Sequence, residues 1–160
     1  HKLTMNILLT GSTGMCGKNI LEHPDAKKFN ILTPTSSELD LLDNKAIESY
    51  LAKYQPDLII HSAGLVAGIQ FNIKNPVRAL VDNSYIALNL INTARYFGIK
   101  RLINLGSSCM YPRDGKNPLA EHQILSGELE PTNEGYAIAK CLSTRLCEYI
   151  VQEDHHYRYQ

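Results

Sequence analysis

Asn6-Ile7-Leu8-Leu9-Thr10-Gly11-Ser12-Thr13-Gly14-Met15-Cys16-Gly17 is the stretch that decides the fold. A short apolar run meets three glycines at three-residue spacing, and a helical pattern follows from Met15 to about Leu21. Strand, glycine turn and helix in direct succession are the setting of a dinucleotide-binding loop. Glycines let the backbone turn tightly and approach a pyrophosphate, whose charge then lies at the helix N-terminus. Gly11, Ser12, Thr13, Gly14, Met15 and Gly17 are therefore candidate cofactor contacts. A Walker A loop does not fit, because Ser12 stands where it needs glycine and Asn19 where it needs Ser or Thr. Cys16 reads as a small packing residue.

Working outward, Phe29–Thr33 reads as a second strand, followed by the polar run Pro34-Thr35-Ser36-Ser37. A carboxylate at the end of such a strand commonly holds the ribose hydroxyls of NAD. None stands here, and Thr33, Thr35, Ser36 and Ser37 could hydrogen-bond a 2′-phosphate, which favours NADP while leaving NAD open. Asp43 is placed to cap a helix from Asn44 to about Tyr54 with Ile47 and Leu51 inward. Asp57–His61 is a continuous apolar run of the kind parallel sheets bury on both faces. It ends in Ser62-Ala63-Gly64, small enough for a cofactor to pass close to the backbone. Asn75-Pro76 predicts the start of a helix reaching about Tyr96, with Gly98 as its stop and Val77, Leu80, Val81, Leu88 and Ile91 as its apolar stripe. Asn83 inside it is either a satisfied buried amide or a functional side chain.

The second telling stretch runs from Leu102 to Lys140. Leu102–Gly106 reads as a fourth buried strand, with Ser107, Ser108 and Cys109 at its carboxyl end, where open α/β sheets bind ligands. The loop from Ser107 to Asn133 is broken by Pro112, Gly115, Pro118, Gly127 and Pro131, and loops of that length in a compact domain tend to be functional. Thr132 or Asn133 caps a helix continuing past Tyr149. On it Tyr136 and Lys140 are four residues apart and share a face. A neighbouring ammonium is expected to lower the phenol from its usual pKa near ~10, suiting it to proton transfer. Strands alternating with helices predict an α/β, Rossmann-like, doubly wound parallel sheet.

The 160 residues give room for one domain with a real core. Sixteen basic and sixteen acidic side chains cancel, so no electrostatic footprint for nucleic acid or an anionic membrane is present. No apolar run approaches the ~20 residues of a membrane helix, and no signal peptide opens the sequence. The four cysteines have neither zinc nor disulfide-framework spacing, so no metal is expected and the thiols fit a reducing cytoplasm. Residues 1–4 read as a cloning remnant and 5–160 as the NAD(P)-binding domain.

Gly11/Gly14/Gly17, Ser62-Ala63-Gly64, Asn83, Ser107 and Tyr136-xxx-Lys140 resemble the extended short-chain dehydrogenase/reductases. More narrowly, LGSSCMYP, PLAE and LEPTNEGYAIAK resemble the GDP-L-fucose synthase family, from about Asn6 to the last residue. The resemblance implies a homodimeric, NADP-dependent enzyme that epimerises GDP-4-keto-6-deoxy-mannose at two carbons and then reduces its 4-keto group. Another GDP-keto-sugar, such as a keto-heptose, or a non-catalytic dinucleotide-binding module are the alternatives. Tyr136 would protonate the C4 oxyanion, Lys140 would tune it and hold the nicotinamide ribose, and Ser107 would bind the carbonyl. Cys109 would be an epimerisation acid/base, Ser108 a substrate contact, and Asp40-Leu41 the adenine-contacting pair. Tyr85, Leu88, Leu142 and Leu146 would lie at the subunit interface. Ser12-Thr13 and Ser36 stand where the family has arginines, and Gly135 replaces a bulkier residue. Family members are about twice as long, so this sequence corresponds to the cofactor half. The C-terminal substrate domain and a second acid/base would lie beyond it, and the chain alone is expected to turn nothing over.

Overall fold

In the computed structural model, which describes residues 4–160, the first apolar run forms β1 (Asn6–Thr10) and passes through the glycine turn into α1 (Met15–Glu22). There follow β2 (Asn30–Leu32), α2 (Asn44–Tyr54), β3 (Leu58–His61), α3 (Ile69–Lys74), α4 (Pro76–Tyr96), β4 (Arg101–Asn104), α5 (Glu134–Glu153) and β5 (Arg158–Tyr159). The cloning-remnant assignment falls, for residues 1–3, outside the described residues. The five strands are all parallel, in the order β2-β1-β3-β4-β5, which is the Rossmann-like sheet the sequence predicts. Parallel pairing needs crossovers, and the helices supply them.

One register row sets the core. Leu8, Ile59, Leu102 and Tyr159 lie side by side across four strands and point to one face. On that face they meet Ile47 and Leu51 of α2, Leu90, Ile91 and Ala94 of α4, and Cys147 and Ile150 of α5. Each such aliphatic side chain, when fully buried, stabilises the fold by about 1.5–3 kcal/mol before entropy is counted. Asp43 caps α2 as expected, its Oδ1 accepting from the Lys45 and Ala46 amides at 3.0 and 3.3 Å. Gly98 ends α4 with φ of +68°, a conformation that suits glycine.

Three expectations need correction. The stripe predicted for α4 is mostly its outer face: Val77, Val81 and Leu88 are exposed, and of the five only Ile91 is buried. Ala79, Asn83, Ala87, Leu90 and Ala94 face inward instead, because α4 packs closely on α5, whose inner residues Ala137, Ala139 and Ser143 are also small. The caps expected from Asn75 and Asn133 are absent; Asn75 Nδ2 donates back to the Phe71 carbonyl at 3.2 Å, since α3 ends directly before α4. The long loop from Ser107 to Asn133 is ordered by three 3₁₀ turns and anchored by buried Met110 and Leu129.

Candidate active site

The carboxyl ends of β1, β3 and β4 carry polar residues in one row: Thr10 beside His61 beside Asn104. The Thr10 hydroxyl joins them. Its oxygen accepts from the Ser62 and Ala63 amides at 3.1 and 3.2 Å, which fills both lone pairs. Its proton therefore goes to His61 Nδ1 at 2.8 Å, and the neutral imidazole carries its own hydrogen on Nε2. Burial, assisted by the Lys140 charge, drives His61 down to about 3, so it stays neutral. Asn104 Nδ2 donates to Ser143 Oγ at 3.0 Å. Asn83 proves a structural amide: its Oδ1 accepts from the Leu65 amide at 2.8 Å and its Nδ2 donates to the Ala79 carbonyl at 2.7 Å. It holds the segment after β3 in place.

Beside Thr10, at one end of this row, lies a cavity of about 500 Å³, within the usual size for a ligand site. Gly11, Ser12, Thr13, Ser36, Asp40, Leu41, Ala63 and Gly64, all candidate cofactor contacts from the sequence, line it. Its walls fit a dinucleotide. A Cβ on Gly11 would fall 2.7 Å from the Ala63 amide nitrogen, so the loops after β1 and β3 meet only because Gly11 lacks one. Gly14, at the N-terminus of α1, meets nothing closer than 3.4 Å and leaves its surroundings open for an approaching phosphate. The candidate contacts Met15, Gly17 and Lys140 stand apart from this cavity. Met15 is exposed, and Gly17 is buried beneath the loop against Gly11 and Ser12, where its part is packing. Cys16 is exposed, not packed; it lies in the first turn of α1, near enough to Tyr136 and Lys140 to influence both.

Ser107, Cys109, Tyr136 and Lys140 come together beside β4, with Ser108 exposed next to them. Lys140 lies 5.6 Å from the Tyr136 ring centroid, as helical spacing requires, and its Nζ donates to the Leu105 carbonyl at 3.2 Å. The expected lowering of the phenol is not found. Burial raises Tyr136 above its usual value, Cys109 and Cys16 add to the rise, and only the Ser107 hydroxyl opposes it. Lys140 is held down mainly by its own burial. Desolvation outweighs the ammonium because the lysine turns toward a backbone carbonyl. Cys109 is half-buried, and burial lifts its thiol while Ser107 and Lys140 pull the other way. The phenol and the thiol therefore both hold their protons at neutral pH.

Sequence reasoning missed the α4 wall of the cavity: Arg78, Asp82 and Ile86, spaced four apart on one face. The spacing alone was a signal, hidden because the outward valines suggested a different inner stripe. His61, in the sequence only the last residue of the third apolar run, is buried as that run predicts and is the hydrogen-bond partner of Thr10.

A glycine-turned parallel sheet with polar side chains gathered at its carboxyl edge defines the class as a Rossmann-like α/β fold. The chain belongs to the NAD dependent epimerase/dehydratase family, whose sequence profile matches residues 7–159. It is 54% identical to the GDP-L-colitose synthase of Yersinia pseudotuberculosis over 98% of this chain and 51% of that protein. It is 44% identical to a GDP-L-fucose synthase of Azorhizobium caulinodans over 90% of this chain and 46% of that protein. Among solved structures, the GDP-mannoheptose C4 reductase MlghC of Campylobacter jejuni, with NADP bound, superposes with a TM-score of 0.90 at 26% identity, covering 99% of this chain and 50% of that one. The chain spans about half the length of these relatives.

Proposed function

We propose that this chain is the cofactor half of an NADP-dependent GDP-sugar epimerase/reductase. The observation that carries this is the clustering of Ser107, Tyr136 and Lys140 after β4, on the same carboxyl edge of the sheet where the loops after β1 and β3 line a glycine-rich cavity. The Gly11–Gly17 loop, Ser36, Asp40-Leu41 and Ala63-Gly64 would hold NADPH, which would supply the hydride for the C4 carbonyl carbon. Tyr136 gives its phenolic proton to the C4 oxygen, and its raised pKa keeps that proton in place until the oxygen becomes basic. Ser107 hydrogen-bonds the same oxygen. Lys140, fixed by the Leu105 carbonyl, stabilises the phenolate left behind. Cys109, with Ser108 beside it, faces the sugar and shuttles a proton at the carbon next to the ketone.

NADP is favoured by the absence of a carboxylate directly after β2, by Thr35 and Ser36 in the cavity wall, and by the cofactor bound in MlghC. The higher identity to the colitose synthase favours GDP-L-colitose as product over GDP-L-fucose, with a GDP-heptose as the further alternative. A homodimer through α4 and α5 is supported by exposed Val77, Val81, Tyr85 and Leu88, with half-buried Leu142 adjoining. Leu146 packs against the core instead and leaves the proposed interface. Four free thiols favour a reducing cytoplasm.

In the protein that carries this chain, Tyr136→Phe should lower 4-keto reduction on the order of 10²–10⁴-fold. Cys109→Ser should mainly slow exchange of solvent deuterium into the sugar carbons. If Cys109→Ser exchanged as fast as the wild type, Cys109 would have no part in epimerisation and a simple 4-reductase would be the better assignment.

A further inference from the structure

A dinucleotide brings the negative charges of its pyrophosphate, and NADP adds a 2′-phosphate. The positions where the family resemblance leads one to expect arginines hold Ser12, Thr13 and Ser36, all neutral. Among the described residues lining the cavity, Arg78 is the one basic side chain, against two acids, Asp40 and Asp82. A cavity so composed would repel phosphate without Arg78.

The arginine is held ready. Its Nε donates to Asp82 Oδ2 at 3.1 Å, and its guanidinium carbon lies 5.8 Å from the centroid of the Phe71 ring. Asp82 is one helical turn on, which sets the direction of the long side chain along the cavity wall. Only Nε is engaged. Both Nη groups have no hydrogen-bond partner among the described residues, and the side chain is 63% exposed. A guanidinium braced at Nε with its outer edge open is a planar fork matched to two phosphate oxygens.

Resting on the cofactor assignment above, we infer that Arg78 binds a phosphate of the dinucleotide through its two Nη groups, with Asp82 as its positioning residue. It takes over, from α4, the role of the arginines that the family resemblance leads one to expect where Ser12, Thr13 and Ser36 stand. Asp82 costs some of the positive field but fixes the fork, so its removal should loosen the arginine and relieve a repulsion at once.

The test is binding, with no turnover required. Affinities of the chain for NADPH, NADH and adenosine 2′,5′-bisphosphate are measured by titration calorimetry for wild type, Arg78→Ala and Arg78→Lys. Thermal melting confirms that the folds match. Arg78→Ala should weaken NADPH at least ten-fold and flatten the dependence of its affinity on salt, while Arg78→Lys recovers part of the loss. A larger loss for NADPH and the bisphosphate than for NADH identifies the 2′-phosphate as partner. Equal losses for NADPH and NADH identify the pyrophosphate. Wild-type binding with Arg78→Ala within two-fold of it overturns the assignment of Arg78 alone. A wild-type chain that bound none of the three would overturn the cofactor assignment and this one with it.

Discussion

Gly17 and Gly14 lie three residues apart in the same loop, yet alanine should act oppositely at the two. A Cβ on Gly17 would collide with the Gly11 carbonyl oxygen and would stand 2.6 Å from Ser12 Cα and 2.9 Å from the Gly11 carbonyl carbon. All three are backbone atoms, so no flexible side chain can move aside. Overpacking of this kind costs about 1–3 kcal/mol, and backbone on every side puts Gly17→Ala at about 3 kcal/mol. For 160 residues the entropy of unfolding is about 0.34 kcal/mol/K, so the melting temperature should drop by roughly 9 °C. At Gly14 the nearest atom to such a Cβ is 3.4 Å away, and φ is −75°, open to any residue. Alanine there is a poorer helix cap but restricts the unfolded chain, and the two effects leave about 0–1 kcal/mol. Gly14→Ala should melt within roughly 3 °C of wild type while losing the stabilisation NADPH gives, since the methyl group would stand where a phosphate approaches. The assay is thermal melting by circular dichroism, with and without NADPH. Equal melting temperatures for the two variants, or a Gly17→Ala protein within 2 °C of wild type, would refute the packing account of the loop.

Two further predictions concern titration and reactivity. His61 remains neutral in the folded chain down to about pH 3, whereas an unfolded histidine takes up its proton near ~6.5. The unfolded state therefore binds the extra proton between these values, and stability should fall on acidification from about pH 6.5, by up to about 1.4 kcal/mol per pH unit from this residue. Urea unfolding from pH 7 to 4 should show a shallower fall in His61→Gln; parallel curves would mean that His61 is not the responsible group. With iodoacetamide, exposed Cys16 should react first and half-buried Cys109 more slowly. Cys147, buried and pushed up to about 12, and buried Cys141 should stay unmodified until unfolding. Peptide mass spectrometry reads the order, and early labelling of Cys147 would contradict the packing of α5 on the sheet.

The parts of the fold that were legible in the sequence are those written in local chemistry. The run Asn6–Thr10 followed by glycines fixes strand, turn and helix within a dozen residues, and Asp43 announces α2 by its side chain. Tyr136 and Lys140 were legible as a pair because helical spacing is local too. What escaped depends on distance across the fold. The inner face of α4 was misread because the small residues Ala79, Ala87 and Ala94 are buried by the closeness of α5, not by their own apolarity. The direction of the Tyr136 shift was misread for a similar reason. Four-residue spacing places Lys140 near the ring, but only the folded chain shows that its ammonium turns to the Leu105 carbonyl and that burial dominates.

The Thr10 hydroxyl has a consequence for how this protein can drift in sequence. It is asked to be a donor and a double acceptor at once, on a side chain short enough to reach two amides of the next loop without leaving the strand. Of the twenty side chains, only serine shares that set at that length. Valine has the shape but would strand buried His61 and two half-buried amides, and cysteine is too long and too weak a donor and acceptor. Leu9, one residue earlier and fully buried, faces no such demand, since isoleucine or methionine can fill much the same volume. A single atom thus narrows position 10 to two letters of the alphabet.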